Sequence, residues 1–168
     1  GLMVRRINIR KMMAPKAKVY SKELAKNAKM YDKWKENIRN TIDNAMLKRC
    51  YPFGTVLKDC YYEYSQGGGS YLRQAGTYPI LIYSHQLLTP ENENEPFDMI
   101  ILNHGFRSLE GLVYPVNLFG LTLKQLESIP GIGKNTAVKI KLLKQDENEK
   151  LIELIGKDLF ETLTGINQ

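Results

Sequence analysis

The stretch TVLKDCYYEYSQGGGSYLRQ, Thr55 to Gln74, sets the fold class of this chain. Val, Thr and aromatic residues suit a pleated, half-buried surface, so Thr55–Tyr64 is expected as one strand and Tyr71–Gln74 as its return. Ser65 to Ser70 is expected as a flexible turn, because its three glycines admit backbone conformations that other residues resist. Further strands are expected at Tyr78–Tyr83, Phe97–Asn103 and Ser108–Tyr114, separated by turns that contain Gly or Pro. Thr89–Pro96, with Glu91, Glu93 and Glu95, reads as an acidic surface loop. Several short strands so divided predict a small antiparallel barrel, closed or half-closed.

On the N-terminal side the pattern is helical. After Ala14-Pro15, the apolar residues Val19, Leu24, Tyr31, Trp34, Ile38, Ile42 and Met46 recur mostly at three- and four-residue steps. A helix is expected from Lys16 to Lys48, close to 50 Å long at about 1.5 Å per residue. That is more than this chain needs for its own core, so the helix is expected to brace another domain or partner. Ahead of it, Val4 to Ile9 alternates in the manner of a strand that needs a sheet to join.

On the C-terminal side the chain is helical again. Leu123–Ser128 is expected as a short helix, Ile129–Thr136 as a turn and Ala137–Leu143 as a second helix. The turn, Ile129-Pro130-Gly131-Ile132-Gly133-Lys134-Asn135-Thr136, is the most specific motif in the chain, and each residue type has a mechanical reason. Gly131 and Gly133 permit positive φ and leave no side chain between the backbone and an approaching ligand. Ile132 can turn inward to pin the turn between its helices. The amides then point outward at the start of the second helix, where the dipole favours an anion. Lys134, Thr136 and Lys139 add charge and a hydroxyl. The motif resembles the helix-hairpin-helix family, which implies phosphate contacts to DNA or RNA without base readout. The other reading is an αα-hairpin that only packs, or that serves as a protein-interaction module without nucleic acid. The sequence leaves both open.

Composition bounds the rest. The chain has 168 residues, of which 43% are hydrophobic and 25% charged, the balance of a globular protein. No run approaches the roughly 18 apolar residues of a membrane span. No apolar leader is expected, and the cytoplasm is the expected location. Charge is uneven: residues 1–50 hold 14 Lys and Arg against 4 acids, residues 51–110 hold 3 against 7, and residues 111–168 hold 7 of each. Between Leu121 and Lys144, five lysines (Lys124, Lys134, Lys139, Lys141, Lys144) face Glu127 alone. Clustered cations of this kind point to a polyanion. Cys50 and Cys60 are the only cysteines, so a disulfide scaffold, a four-thiolate zinc site and a three-cysteine cluster cradle are excluded. His85 and His104 fit no compact metal spacing and read as structural, although the loop Asn103–Arg107 leaves a contact role open for His104 and Arg107. Tyr61, Tyr62, Tyr64, Tyr71, Tyr78 and Tyr83 either cover the rim of a small core or stack on unpaired bases.

The order of these segments resembles the C-terminal region of an archaeal family of radical S-adenosylmethionine, iron–sulfur proteins that end in a helix-hairpin-helix. The resemblance implies a fragment whose N-terminal radical S-adenosylmethionine barrel is missing. The [4Fe-4S] cluster and S-adenosylmethionine would belong to that barrel and none of its catalytic residues to this chain. Only Pro130, Gly131, Ile132, Gly133 and Lys134 carry over. Three parts are expected: residues 1–50, the end of a preceding barrel plus the long basic helix; 51–118, the small barrel; and 119–168, the helix-hairpin-helix. A fragment of this kind is also expected to expose apolar surface and to form a dimer. The fold class expected is therefore α+β, and the resemblance implies that this chain alone is not an enzyme but an accessory region. The further alternative is a free-standing nucleic-acid-binding protein.

Overall fold

The computed structural model describes residues 26–76, 79–89, 95–105 and 107–166. The strand expected at Val4–Ile9, the first part of the helix expected from Lys16, and most of the acidic loop lie outside the described residues. From Ala28 the chain is helical to Cys50, as α1 (Ala28–Ile38), a π turn (Arg39–Asp43) and α2 (Asn44–Cys50). The helix expected over Lys16–Lys48 is thus described only over its second part, and there in three pieces.

Five strands follow: β1 (Val56–Gln66), β2 (Gly69–Gln74), β3 (Leu81–Ser84), β4 (Pro96–His104) and β5 (Ser108–Val113). They close a barrel in the order β1-β2-β3-β5-β4. Closure removes the sheet edges that would otherwise leave backbone groups unpaired. One pairing departs from the antiparallel expectation: β3 and β5 run parallel, with Ile82 opposite Leu109. The flexible turn expected at Ser65–Ser70 shrinks to two residues, because Gln66 already pairs with Gly69. Gly67 and Gly68 both take positive φ, 64° and 83°, the backbone of a turn whose twist matches the flanking strands.

β1 bends twice. Its register slips between Tyr62 and Tyr64 against β2 and between Leu57 and Cys60 against β4. At the second slip Asp59 has φ 53°, and the Asp98 carboxylate of β4 holds the bulge by accepting from the Lys58 ammonium and, at 3.4 Å, from the Asp59 amide. The hydrogen bond from Lys58 holds the Asp98 carboxyl below its ordinary range. A carboxyl lowered on folding adds stability above its unfolded pKa and loses it as pH falls through the folded value. Urea midpoints measured from neutral pH into the acid range should therefore fall less steeply for Asp98→Asn than for the parent chain, with Asp98→Asn the weaker of the two at neutral pH. Equal slopes would remove the pair from the account.

Among the described residues four helices follow the barrel: α3 (Leu123–Glu127), α4 (Lys134–Leu142), α5 (Asn148–Ile155) and α6 (Lys157–Thr164). The helical pair expected to carry the hairpin is α3 and α4, and α5 and α6 form a second pair behind it. Two buried clusters account for the packing. One fills the barrel, with Cys60, Leu72, Ile82, Met99, Ile101 and Leu109, and Leu47 of α2 at its margin. The other lies between the outer face of β4 and β5 and the helices, joining Ile100, Leu102 and Leu112 to Leu126, Ile140 and Phe160. β4 is buried on both faces, which is why Met99–Leu102 is an unbroken apolar run. The second cluster crosses residue 118, and the Val116 amide donates to the Leu163 carbonyl at 2.9 Å.

Candidate nucleic-acid interface

α3 begins at Thr122, whose hydroxyl accepts from the Gln125 amide while the Gln125 side chain accepts from the Thr122 amide at 2.7 Å. This reciprocal capping follows from the Thr-x-x-Gln spacing, a signal readable in the sequence. Gln125 also donates to the His85 carbonyl at 2.9 Å and so ties the hairpin to the end of β3.

Ile129, Ile132, Ala137 and Ile140 are buried between the helices, and the Ile132 amide donates to the Ile129 carbonyl at 3.0 Å. With Ile132 pinned inward, Pro130, Gly131, Gly133 and Lys134 face solvent. Gly131 has φ +94°, a conformation costly for any residue with a Cβ. Around Gly133 a Cβ would meet nothing within 4 Å. α4 starts at Lys134, earlier than the Ala137 start expected, which places Lys134 and Thr136 in its first turn. No side chain caps α4. Among the described residues the amides of Gly131 and of Gly133 to Thr136 have no acceptor. Helix first-turn amides need an outside partner.

A shallow groove runs along the hairpin from Glu127 to Gly133, with Asn103 of β4 as its far wall. Asn103 donates to the Ser128 carbonyl at 3.5 Å. Nothing local marks Asn103 for this position, because only the docking of α3 on β4 brings it there. The lysines divide. Lys134 flanks the groove, whereas Lys139 lines a separate groove between α4 and α5 with Leu142, Lys150 and Glu153. Lys141 donates to the carbonyls of Phe119 and Leu121 at 2.9 and 3.0 Å and is therefore spent on structure.

Other candidates have partners within the fold. His104 Nε2 lies 2.7 Å from the Tyr51 carbonyl, and the His85 ring sits edge-on to Tyr83. Tyr64 stacks on Tyr71 with centroids 4.7 Å apart, and Tyr83 is tilted against Tyr71 at 5.0 Å, so the three form a row across β1, β2 and β3 in which Tyr64 stays exposed. Cys60 is buried in the barrel, and burial, with smaller contributions from Asp98 and Asp59, pushes its thiol up to about 12. Cys50 is exposed on α2. A buried, protonated thiol in one element and an exposed one in another do not fit an iron–sulfur cluster, which needs converging thiolates. Among the described residues no three His, Cys, Asp or Glu side chains gather as metal ligands, and no helix is long and apolar enough to cross a membrane.

No protein-family model and no solved structure matches the chain. It is similar to an uncharacterized protein of Archaeoglobus fulgidus, 34% identical over 135 residues, which is 78% of this chain and 25% of that protein. It is also similar to an uncharacterized protein of Methanocaldococcus jannaschii, 35% identical over 119 residues, or 67% of this chain and 21% of that protein. Both relatives are archaeal, and the chain spans about a quarter or less of the length of each.

Proposed function

We propose that this chain is a non-catalytic nucleic-acid-binding region of a longer protein, and that it grips phosphates of DNA or RNA through the hairpin between α3 and α4. The observation that carries this reading is the set of open amides at Gly131 and from Gly133 to Thr136, beside a glycine with free space around it and the exposed Lys134. An anion there satisfies the amides and meets the positive end of the helix dipole. Lys124 and Lys139, both exposed, supply longer-range attraction. The contacts are to the backbone of the nucleic acid, so binding is independent of base sequence. The barrel lends weaker support: its strand order is that of small barrels that bind oligonucleotides or oligosaccharides, a likeness of fold that does not itself assign function.

The same reading makes the parent protein a radical S-adenosylmethionine enzyme, with the [4Fe-4S] cluster held by a domain outside this chain and the long basic N-terminal helix as the arm leading from it. It rests on the order of sequence segments. The relatives extend well beyond the matching segment and so have room for such a domain.

Fluorescence anisotropy of labelled single- and double-stranded DNA and RNA across a salt series tests the proposal. The expected result is binding to all four with little sequence preference, log K falling linearly with log salt at about 0.9 per duplex phosphate contacted. Absence of binding at about 50 mM salt would overturn it and leave a hairpin that serves protein packing.

A further inference from the structure

Met30, Trp34, Ile38, Ile42 and Met46 stand at every fourth position of the helical segment Ala28–Cys50, and all five are exposed, by 37% to 67%. Residues four apart share a helix face. An α-helix advances about 100° per residue, so a row with a period of four drifts around the axis. The π turn Arg39–Asp43 lies in the middle of the row, and its wider turn takes up that drift and returns Ile42 and Met46 to the face of Trp34 and Ile38. Leu47 is the one buried residue of the segment, where α2 meets β4. The remaining apolar stripe projects from the barrel with no covering element among the described residues.

We infer that the stripe is the interface of a homodimer, in which two copies of this helix pack antiparallel about a two-fold axis at Ile38. The row reads Met, Trp, Ile, Ile, Met. Turned about its centre, it sets Ile38 against Ile38, Trp34 against Ile42 and Met30 against Met46. An isologous interface needs a surface that complements itself under that rotation. The barrel joins the helix at its last turn only, so antiparallel packing places the two barrels at opposite ends. Lys26 stands one step beyond Met30 on the row, Lys29 and Lys33 lie about 100° and 60° round the helix from Met30, and Lys35 is paired with Asp32 at 2.9 Å, so the unpaired cations border the Met30 end of the seam and leave its centre at Ile38 apolar. Five such side chains and their neighbours offer on the order of 500 to 800 Å² per chain, approaching the roughly 800 Å² per partner of a specific interface.

Trp34 is the sole tryptophan, so its emission reports the stripe alone. Light scattering and Trp34 emission would be followed on the whole chain from about 100 μM to about 0.1 μM, a range that brackets micromolar dissociation constants. The expected result is a dimer mass that falls to monomer on dilution, with emission moving to longer wavelength at the same midpoint. Ile38→Glu with Ile42→Glu should weaken association at least tenfold while the tyrosine signal of the barrel stays unchanged. With Cys50→Ser as background, Ile38→Cys should form an interchain disulfide under mild oxidation and Met30→Cys should not. A monomer throughout, a dimer that survives the double substitution, ready cross-linking of Met30→Cys, or an emission shift seen only with phosphatidylserine vesicles would each overturn the inference. The last would assign the stripe to lipid, and a monomer with Trp34 exposed would assign it to another part of a longer polypeptide.

Discussion

Gly133→Glu should keep its fold and lose about ten- to a hundredfold of its affinity for nucleic acid at low salt, the loss shrinking as salt rises. Gly133 has φ −84° and ψ 169°, an extended conformation open to any residue, and a Cβ there meets nothing within 4 Å. The new side chain therefore brings little strain, and a carboxylate at the start of α4 is favourable to the helix dipole. That same carboxylate would occupy the space where a phosphate oxygen meets the open amides, and its charge would repel the backbone of the nucleic acid. Gly133→Ala separates the two effects, since it fills space without charge and should bind within a few-fold of the parent. Anisotropy titrations in parallel with circular dichroism check this. Unchanged affinity in a folded Gly133→Glu chain would move the contact away from the hairpin, with the lysines of the N-terminal helix next in line. The salt slope discriminates further: a lost phosphate contact lowers it by about one.

The hairpin was legible in the sequence because its constraints are local. A positive φ at Gly131, an inward Ile132 and a small buried Ala137 each demand a particular residue type, and the order of those types survives without any knowledge of the rest of the fold. The strands were legible for a similar reason, since β-branched and aromatic runs between glycine-containing turns leave few alternatives. The parallel pairing of β3 with β5 was not, because it joins residues far apart in the chain and leaves no local signature. The fates of the lysines were equally hidden. Lys134, Lys139 and Lys141 look alike in sequence, yet docking of α4 sends one to the hairpin, one to a groove on α5 and one to the carbonyls of Phe119 and Leu121. Counting charge overstates a binding surface whenever tertiary packing redirects side chains. The second helical pair, α5 and α6, was within reach: Leu151, Ile152, Ile155, Leu159, Phe160 and Leu163 recur at helical spacing on either side of Gly156.

Phe160→Ala should lower stability by about 3–5 kcal/mol, and the barrel and the helices should then unfold together at lower denaturant. Phe160 is almost fully buried in the cluster that joins Ile100, Leu102 and Leu112 of the barrel to Leu126 and Ile140 of the hairpin helices. Removing the ring leaves a cavity bounded by both halves, so neither can relax into it without moving the other. Against a net stability of about 5–15 kcal/mol for a domain of ordinary size, such a loss is a large fraction of the whole. Far-ultraviolet ellipticity follows the helices and tyrosine ellipticity in the near ultraviolet follows β1, β2 and β3, so the two probes watch opposite sides of the shared core. Ile82→Ala, buried inside the barrel and away from the helices, should move the same two signals together. If Phe160→Ala shifts only the helical signal and Ile82→Ala only the tyrosine signal, the barrel and the hairpin are separate folding units, and the open amides of Gly131 and of Gly133 to Thr136 are positioned by the helical half alone. If all four shifts coincide, the turn between α3 and α4 is held in place by the barrel, and on the proposed function substitutions in β4 should loosen binding in proportion to the stability they remove.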